Sequence, residues 1–222
     1  MYTIAVLGQK GGTTKSTLVE NLAVAATRAK RSVAVIDLDP QTTTMNWRDR
    51  RAAEDLTVVS CQVARLRFVL TDCQTNGVEL VFLDGPGKSA EVTIEAAKAA
   101  DLILVPTQPT IDNIETLPAV RDLLRVSGDK PALVIVNNAP IQGTRHLQAK
   151  ESIEKMGFTT CPVVVFHRAA FHDAPLSGLG VQEYEPDGKA AQEITELYKY
   201  IIGIVDNPTN AQNEKTTIAR RA

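Results

Sequence analysis

Lys10, Gly11, Gly12, Lys15 and Ser16 fall within seven residues of the chain, a set suited to holding a highly charged anion. A phosphate cradle needs a strand that runs into a turn exposing consecutive backbone N–H groups. It then needs a helix whose N-terminus faces the anion. "TIAVLG" supplies the strand and the Gly11-Gly12 pair permits the unusual backbone angles. Lys15 can neutralise the β- and γ-phosphates of a nucleotide, and the Ser16 hydroxyl can ligate Mg²⁺. The common phosphate-loop pattern G-x-x-x-x-G-K-[ST] is not met, because Gln9 and Thr14 occupy its two glycine positions. Lys10 is an additional cation at the mouth of the loop.

Carboxylates follow in an order that fits the same chemistry. "ELVFLDGPG" ends a run of apolar residues in Asp84, which at the carboxyl end of a buried strand is placed to support Mg²⁺ through water. In "VIDLDPQTTT", Asp37 and Asp39 alternate at a strand end and Pro40 breaks the strand. One carboxylate can orient the attacking water while the other supports the metal shell, and Asp39 is the stronger candidate for catalysis. Loop and carboxylates together indicate a nucleoside triphosphatase.

These residues need a scaffold that brings strand ends together. Short β-branched apolar runs recur at 3–8, 32–39, 56–60, 79–85, 101–106, 132–138 and 161–166. Most are apolar on both faces, as in a parallel sheet covered by helices on either side. Helical segments alternate with them at 15–30, 41–54, 62–75, 89–100, 112–127, 144–156 and 188–205. The alternation predicts one doubly wound α/β domain, a mostly parallel sheet flanked by helices, over residues 1–205. Residues 206–222 read as a polar, disordered tail.

Composition narrows the partners. The 222 residues are 44% hydrophobic and 23% charged, with a net charge of −2, so contact with nucleic acid requires a local basic patch. Three scattered cysteines without a C-x-x-C pair argue against a zinc or iron–sulfur site and suit a reducing cytosol. No run approaches the length of a membrane span. The expected location is cytoplasmic.

The stretch from Gln9 to Ser16 resembles the deviant Walker A pattern, X-K-G-G-x-x-K-[ST], of the ParA/MinD class of P-loop ATPases. The likeness continues through "DLDPQ" (37–41), the Walker B-like "VFLDGPG" (81–87), "LVPTQPTIDNIE" (104–115) and "FHRAAFHDAPLSGLGVQEYEPDGKAAQEITELYKYI" (166–201). That resemblance implies ATP/ADP and Mg²⁺ as ligands, with Lys15, Thr17 and the loop residues Gly11, Gly12, Thr13 and Thr14 around the nucleotide. It implies Ser16, Asp39 and Asp84 at the metal, Asp39 positioning water, and Asn137 contacting adenine. Lys10 would be the signature lysine that reaches the partner subunit's phosphates in an ATP-sandwich homodimer, as an arginine finger does. Thr14 departs from the commoner glycine.

Within the class, the small plasmid-partition proteins are most similar. The loop begins within ten residues of Met1, which leaves no room for an N-terminal helix-turn-helix, and the tail lacks an amphipathic membrane helix. The resemblance implies nucleoid association, non-specific DNA binding and hydrolysis stimulated by a small centromere-binding ParB/ParG-like protein. Arg168, Lys189, Lys199 and the cluster Arg48, Arg50 and Arg51 are candidate DNA contacts. Two alternatives stand beside it: a positioning ATPase with another cargo, such as a conjugation complex or protein organelle, and a metabolic ligase resembling dethiobiotin synthetase.

Overall fold

The computed structural model describes residues 1–8, 12, 14–87 and 89–207. Lys10, Gly11 and Thr13, and the tail from 208 onward, lie outside them. The elements follow in the order β1 (Tyr2–Val6), α1 (Lys15–Arg28), β2 (Val33–Asp37), α2 (Thr43–Arg50), β3 (Thr57–Ser60) and α3 (Leu66–Thr75). Next come β4 (Leu80–Asp84), α4 (Ala90–Ala99), β5 (Leu102–Thr107), α5 (Ile111–Ile114), α6 (Leu117–Val126) and β6 (Ala132–Val136). The chain continues through α7 (Arg145–Lys155), α8 (Ala170–Asp173), α9 (Val181–Tyr184) and α10 (Lys189–Asp206). The six strands form one sheet in the order β3-β2-β4-β1-β5-β6, and every pairing is parallel. The doubly wound architecture is as expected.

Strand alternation decides which side chains can meet. Ile4, Val6, Val33, Val35, Leu80 and Phe82 face α1 and α10 in one core. Ala5, Ala34, Ile36, Val81 and Leu83 face the other way, toward α4 and α6. A period of two then turns Asp37 and Asp84 toward the α1 side, and the register sets Asp37 beside Asp84 and Asp84 beside Val6. Chain crossings leave β1 and β4 in opposite directions along the sheet, opening a crevice at their carboxyl ends. The loop after β1 sits there.

Two expected elements differ. The seventh strand, 161–166, is an irregular strap with isolated bridges only at its two ends, from Thr160 to Val134 of β6 and from Phe166 to Ala139 just past β6. Cys161 and Val165 donate to Val134 and Val136, so four residues of the strap run against two of β6 and regular parallel pairing lapses between these bonds. The helix expected at 112–127 is split into α5 and α6, since Pro118 cannot donate to Ile114. Helices α8 and α9, within the segment 166–187, were not anticipated. Among the described residues no helix is long and apolar enough to cross a membrane.

Arg51 fixes the end of α2 to the C-terminal segment. Its side chain is fully buried and forks between Asp55 and Glu183, both at 2.7 Å, with a further bond of 3.0 Å to the Gly178 carbonyl. Trp47, also fully buried, stacks under the guanidinium and donates to the Leu179 carbonyl at 3.2 Å. Arg50 meanwhile donates to the Pro175 carbonyl. Arg51 is therefore structural rather than a free DNA-facing cation, while Arg50 stays exposed. We expect Arg51→Lys, which loses the planar fork, to destabilise the fold by about 3 kcal/mol in urea denaturation. Lys98→Ala, in the exposed pair with Glu95, should change it by less than about 0.5 kcal/mol. Equal effects would refute this role for Arg51.

Candidate functional site

The site forms where α1 begins, at the carboxyl edge of the central strands. Thr14 precedes the helix with φ 60° and ψ 32°, a left-handed conformation, and its carbonyl accepts the first helical bond from Leu18 at 3.0 Å. Gly12, at φ +77°, shares the left-handed region that favours glycine. The loop is held from two neighbours. Gln108, after β5, donates to the Gly12 carbonyl at 3.0 Å, and the Asn137 amide donates to Thr14 Oγ1.

On the β4 side, Lys15 is buried and burial lowers its pKa, opposed by the charges of Asp84 and Asp39. Those three expected residues are thus brought together. Asp84 is fully buried, and burial raises its pKa from 3.8 to about 6. The hydroxyls of Thr44 and Ser16 and the charge of Lys15 oppose that rise, whereas Asp37 adds to it. Thr44 Oγ1 donates to Asp84 Oδ2 at 2.6 Å, while the buried Oδ1 receives no hydrogen bond of good geometry. An orphaned carboxylate oxygen beside Ser16 fits a hydrated divalent cation.

Among the described residues, no group of three or more His, Cys, Asp or Glu could hold a metal alone. That donor set suits Mg²⁺, which binds through few protein oxygens, water and substrate phosphates. When bound, it would neutralise charge on the phosphate oxygens.

The two aspartates after β2 divide their work. Asp37 is fully buried and accepts the backbone N–H groups of Asp39 at 3.0 Å and Met45 at 3.1 Å. Burial still raises its pKa, these bonds notwithstanding. Asp39 is half-buried, and its carboxylate accepts only the Gln41 N–H, at 2.9 Å, among the described residues. Asp37 shapes the loop; Asp39 keeps a carboxylate edge toward the crevice. Thr44, which the sequence reading passed over, is the buried partner that orients Asp84. Its only sequence signal is the threonine run after "DLDPQ".

On the opposite side a pocket adjoins the loop. Thr14, Thr17, Leu18, Asn137 and Asn138 meet the strap and α8 there, through Val165, Phe166, His167, Arg168, Phe171 and His172. Asn137 is placed as expected, but both ends of its amide are engaged: it donates to Thr14 and accepts from the Asn138 N–H at 2.8 Å. That gives it a hold on the loop, and these two bonds leave its second amide N–H unused. Arg168 does not project into solvent as a DNA contact should, because Glu193 binds its guanidinium at 2.8 and 2.5 Å. Glu193 also accepts the Phe166 N–H at 3.0 Å. Lys189 and Lys199 remain on the exposed face of α10.

Residues 4–219 match the sequence family described as CobQ/CobB/MinD/ParA nucleotide binding domain. The maintenance of carboxysome distribution protein A of Gloeobacter kilaueensis is 27% identical over 205 residues, covering 91% of this chain and 93% of that one. The chromosome-partitioning ATPase Soj of Thermus thermophilus is 29% identical over 134 residues, 47% of this chain and 54% of its own. In fold, the septum site-determining protein MinD complexed with Mg-ADP, from Pyrococcus horikoshii, superposes with a TM-score of 0.73. Its identity is 18%, over 90% of this chain and 95% of that one.

A raised carboxylate pKa has a defined sign. Asp84 costs the nucleotide-free fold nothing below about pH 4; the penalty builds between about pH 4 and the folded pKa of about 6 and levels off above it at about 3 kcal/mol. Nucleotide-free Asp84→Asn should therefore be the more stable protein at pH 7.5, by about 1–3 kcal/mol. The difference should close as pH falls toward 4. Denaturation midpoints across pH check this, and a wild type more stable at every pH would contradict it.

Proposed function

Since the chain belongs to the CobQ/CobB/MinD/ParA nucleotide-binding domain family, we propose that it is a ParA-type ATPase. In this reading it positions a cargo through ATP-dependent sandwich dimerisation, non-specific DNA binding and partner-stimulated hydrolysis. The observation that carries this reading is the meeting of Lys15, Asp39 and Asp84 at the start of α1, with the orphaned Asp84 oxygen beside Ser16. Lys15 holds the β/γ-phosphates of its own nucleotide. Ser16 and Asp84 would hold Mg²⁺, and Asp39 orients the attacking water. Thr17 and the loop from Gly11 to Thr14 complete the cradle, and Lys10 crosses to the partner subunit's phosphates.

The cargo separates two versions of this function. Plasmid or other DNA partition, with a centromere-binding partner, is the reading drawn from the sequence motifs. Positioning of a protein organelle is favoured by a particular observation. Two relatives, from Gloeobacter kilaueensis and Halothiobacillus neapolitanus, are named for carboxysome distribution and align over nine-tenths or more of both chains. Both versions use the nucleoid as a track, so DNA binding tests the shared engine.

With ATP, the protein should sediment as a dimer and retain DNA; with ADP or no nucleotide it should do neither. Retention should fall by orders of magnitude between 50 and 200 mM salt if about six or more phosphates are contacted. ATP-independent or absent DNA binding would remove the positioning reading. Lys10→Ala should lose dimerisation or hydrolysis with its fold intact. Asp39→Ala should hold ATP and the dimer while turning over at least about tenfold more slowly, the scale set by loss of a positioned base. Wild-type turnover in either variant would refute the role given to that residue.

A further inference from the structure

We propose that Asn137 is a positioning residue for phosphate binding: it draws the Thr14 hydroxyl away from the start of α1, so that the first-turn N–H groups stay open to an anion. This deepens the nucleotide reading above and rests on it. A threonine just before a helix ordinarily caps it, its oxygen accepting a backbone N–H two or three residues on. Ser89 caps α4 in that way. It sits in the extended region, at φ −104° and ψ 106°, and its hydroxyl accepts the Val92 N–H. Thr14 holds the same place before α1, and its carbonyl accepts the first helical bond. Its side chain nevertheless makes no capping bond.

The difference lies in the backbone and in one bond. Thr14 is in the left-handed region, at φ 60°, where a β-branched residue is strained. A capping residue instead has extended backbone. Relief of strain and gain of a cap therefore both pull Thr14 toward the geometry that Ser89 has. The Asn137 amide opposes that pull by donating to Thr14 Oγ1. It can do so because it is itself held. Asn137 is buried, its backbone N–H donates to the Thr107 carbonyl at the end of β5 at 2.9 Å, and its Oδ1 accepts the Asn138 N–H. A hydroxyl that capped α1 would put a neutral acceptor where phosphate oxygens must bind, since the same N–H groups serve both. Asn137 thus acts through Thr14 rather than on the nucleotide.

The test measures equilibrium binding of a non-hydrolysable ATP analogue, with Mg²⁺, to wild type, Asn137→Ala, Thr14→Gly and the double variant. Asn137→Ala should bind about tenfold more weakly, the scale of a helix cap competing with the ligand. Thr14→Gly has neither a competing oxygen nor a strained backbone, and should bind within about threefold of wild type. The double variant should recover to that same level, because without the hydroxyl Asn137 has nothing to restrain. Asn137→Leu, which fills the buried position, should show the same loss and the same recovery. A double variant as weak as Asn137→Ala overturns the inference, since Asn137 would then act on the nucleotide itself. Thr14→Gly as weak as Asn137→Ala, or Asn137→Ala that binds like wild type, overturns it too. In each of these cases the ATPase reading stands. Wild type that does not bind the analogue overturns both.

Discussion

Asp84 is a carboxylate held out of water at the end of a central strand, and the geometry of the site follows from that constraint. An isolated buried charge is expensive, so its neighbours are chosen by it. Thr44 reaches from α2 to bond one oxygen, Lys15 and Ser16 approach from α1, and the other oxygen receives no hydrogen bond of good geometry. This arrangement is poised rather than relaxed. It is least favourable without a counter-charge, and a cation with its phosphate ligands would remove the penalty. Ligand binding and folding are thereby linked through one side chain.

The parallel sheet makes that arrangement reproducible. Register between β2, β4 and β1 sets Asp37, Asp84 and Val6 side by side, and strand alternation turns both aspartates to the face that α1 covers. Nothing local in "VFLDG" could specify this. Beyond the strands, the C-terminal segment serves as a brace on both halves of the site. Asn21 of α1 accepts from the Val181 N–H at 2.7 Å, Arg51 at the end of α2 binds Glu183, and Glu193 of α10 holds the strap that lines the pocket. The loop and helix after β2 and the pocket wall are anchored to the same run of chain.

How much of this was legible beforehand depended on the range of the interactions. The six strands and the order of their helices were readable because continuous apolar runs and the loop signatures are local. The gathering of Lys15, Ser16, Asp39 and Asp84 in one place was readable because strand ends in a parallel sheet must share an edge. The strap at 161–166 looked like a strand on apolar content, but its bonds to β6 fall four residues apart where the strand's fall two apart, an offset that apolar content does not reveal. Arg51 and Arg168 looked like surface cations. Their partners Glu183 and Glu193 lie 132 and 25 residues away, and charge pairing at such separations leaves no mark on sequence spacing. Thr44 was missed for a related reason. It acts through one contact, to Asp84, that exists only once the chain is folded.

Thr14, one of two threonines held in the left-handed region among the described residues, shows how the two halves are joined. A β-branched residue in the left-handed region costs on the order of 1–2 kcal/mol relative to glycine, and glycine would hold the turn without that strain. Glycine, however, has no oxygen. Thr14 offers Oγ1 to the Asn137 amide, and Asn137 in turn fixes the backbone of Asn138, whose side chain meets His167. A chain of hydrogen bonds thus runs from the start of the phosphate-side helix to the rim of the pocket. It starts from the position where the sequence departs from the commoner glycine. The departure exchanges backbone freedom in the loop for a direct mechanical tie between the phosphate end of the site and the end of β6.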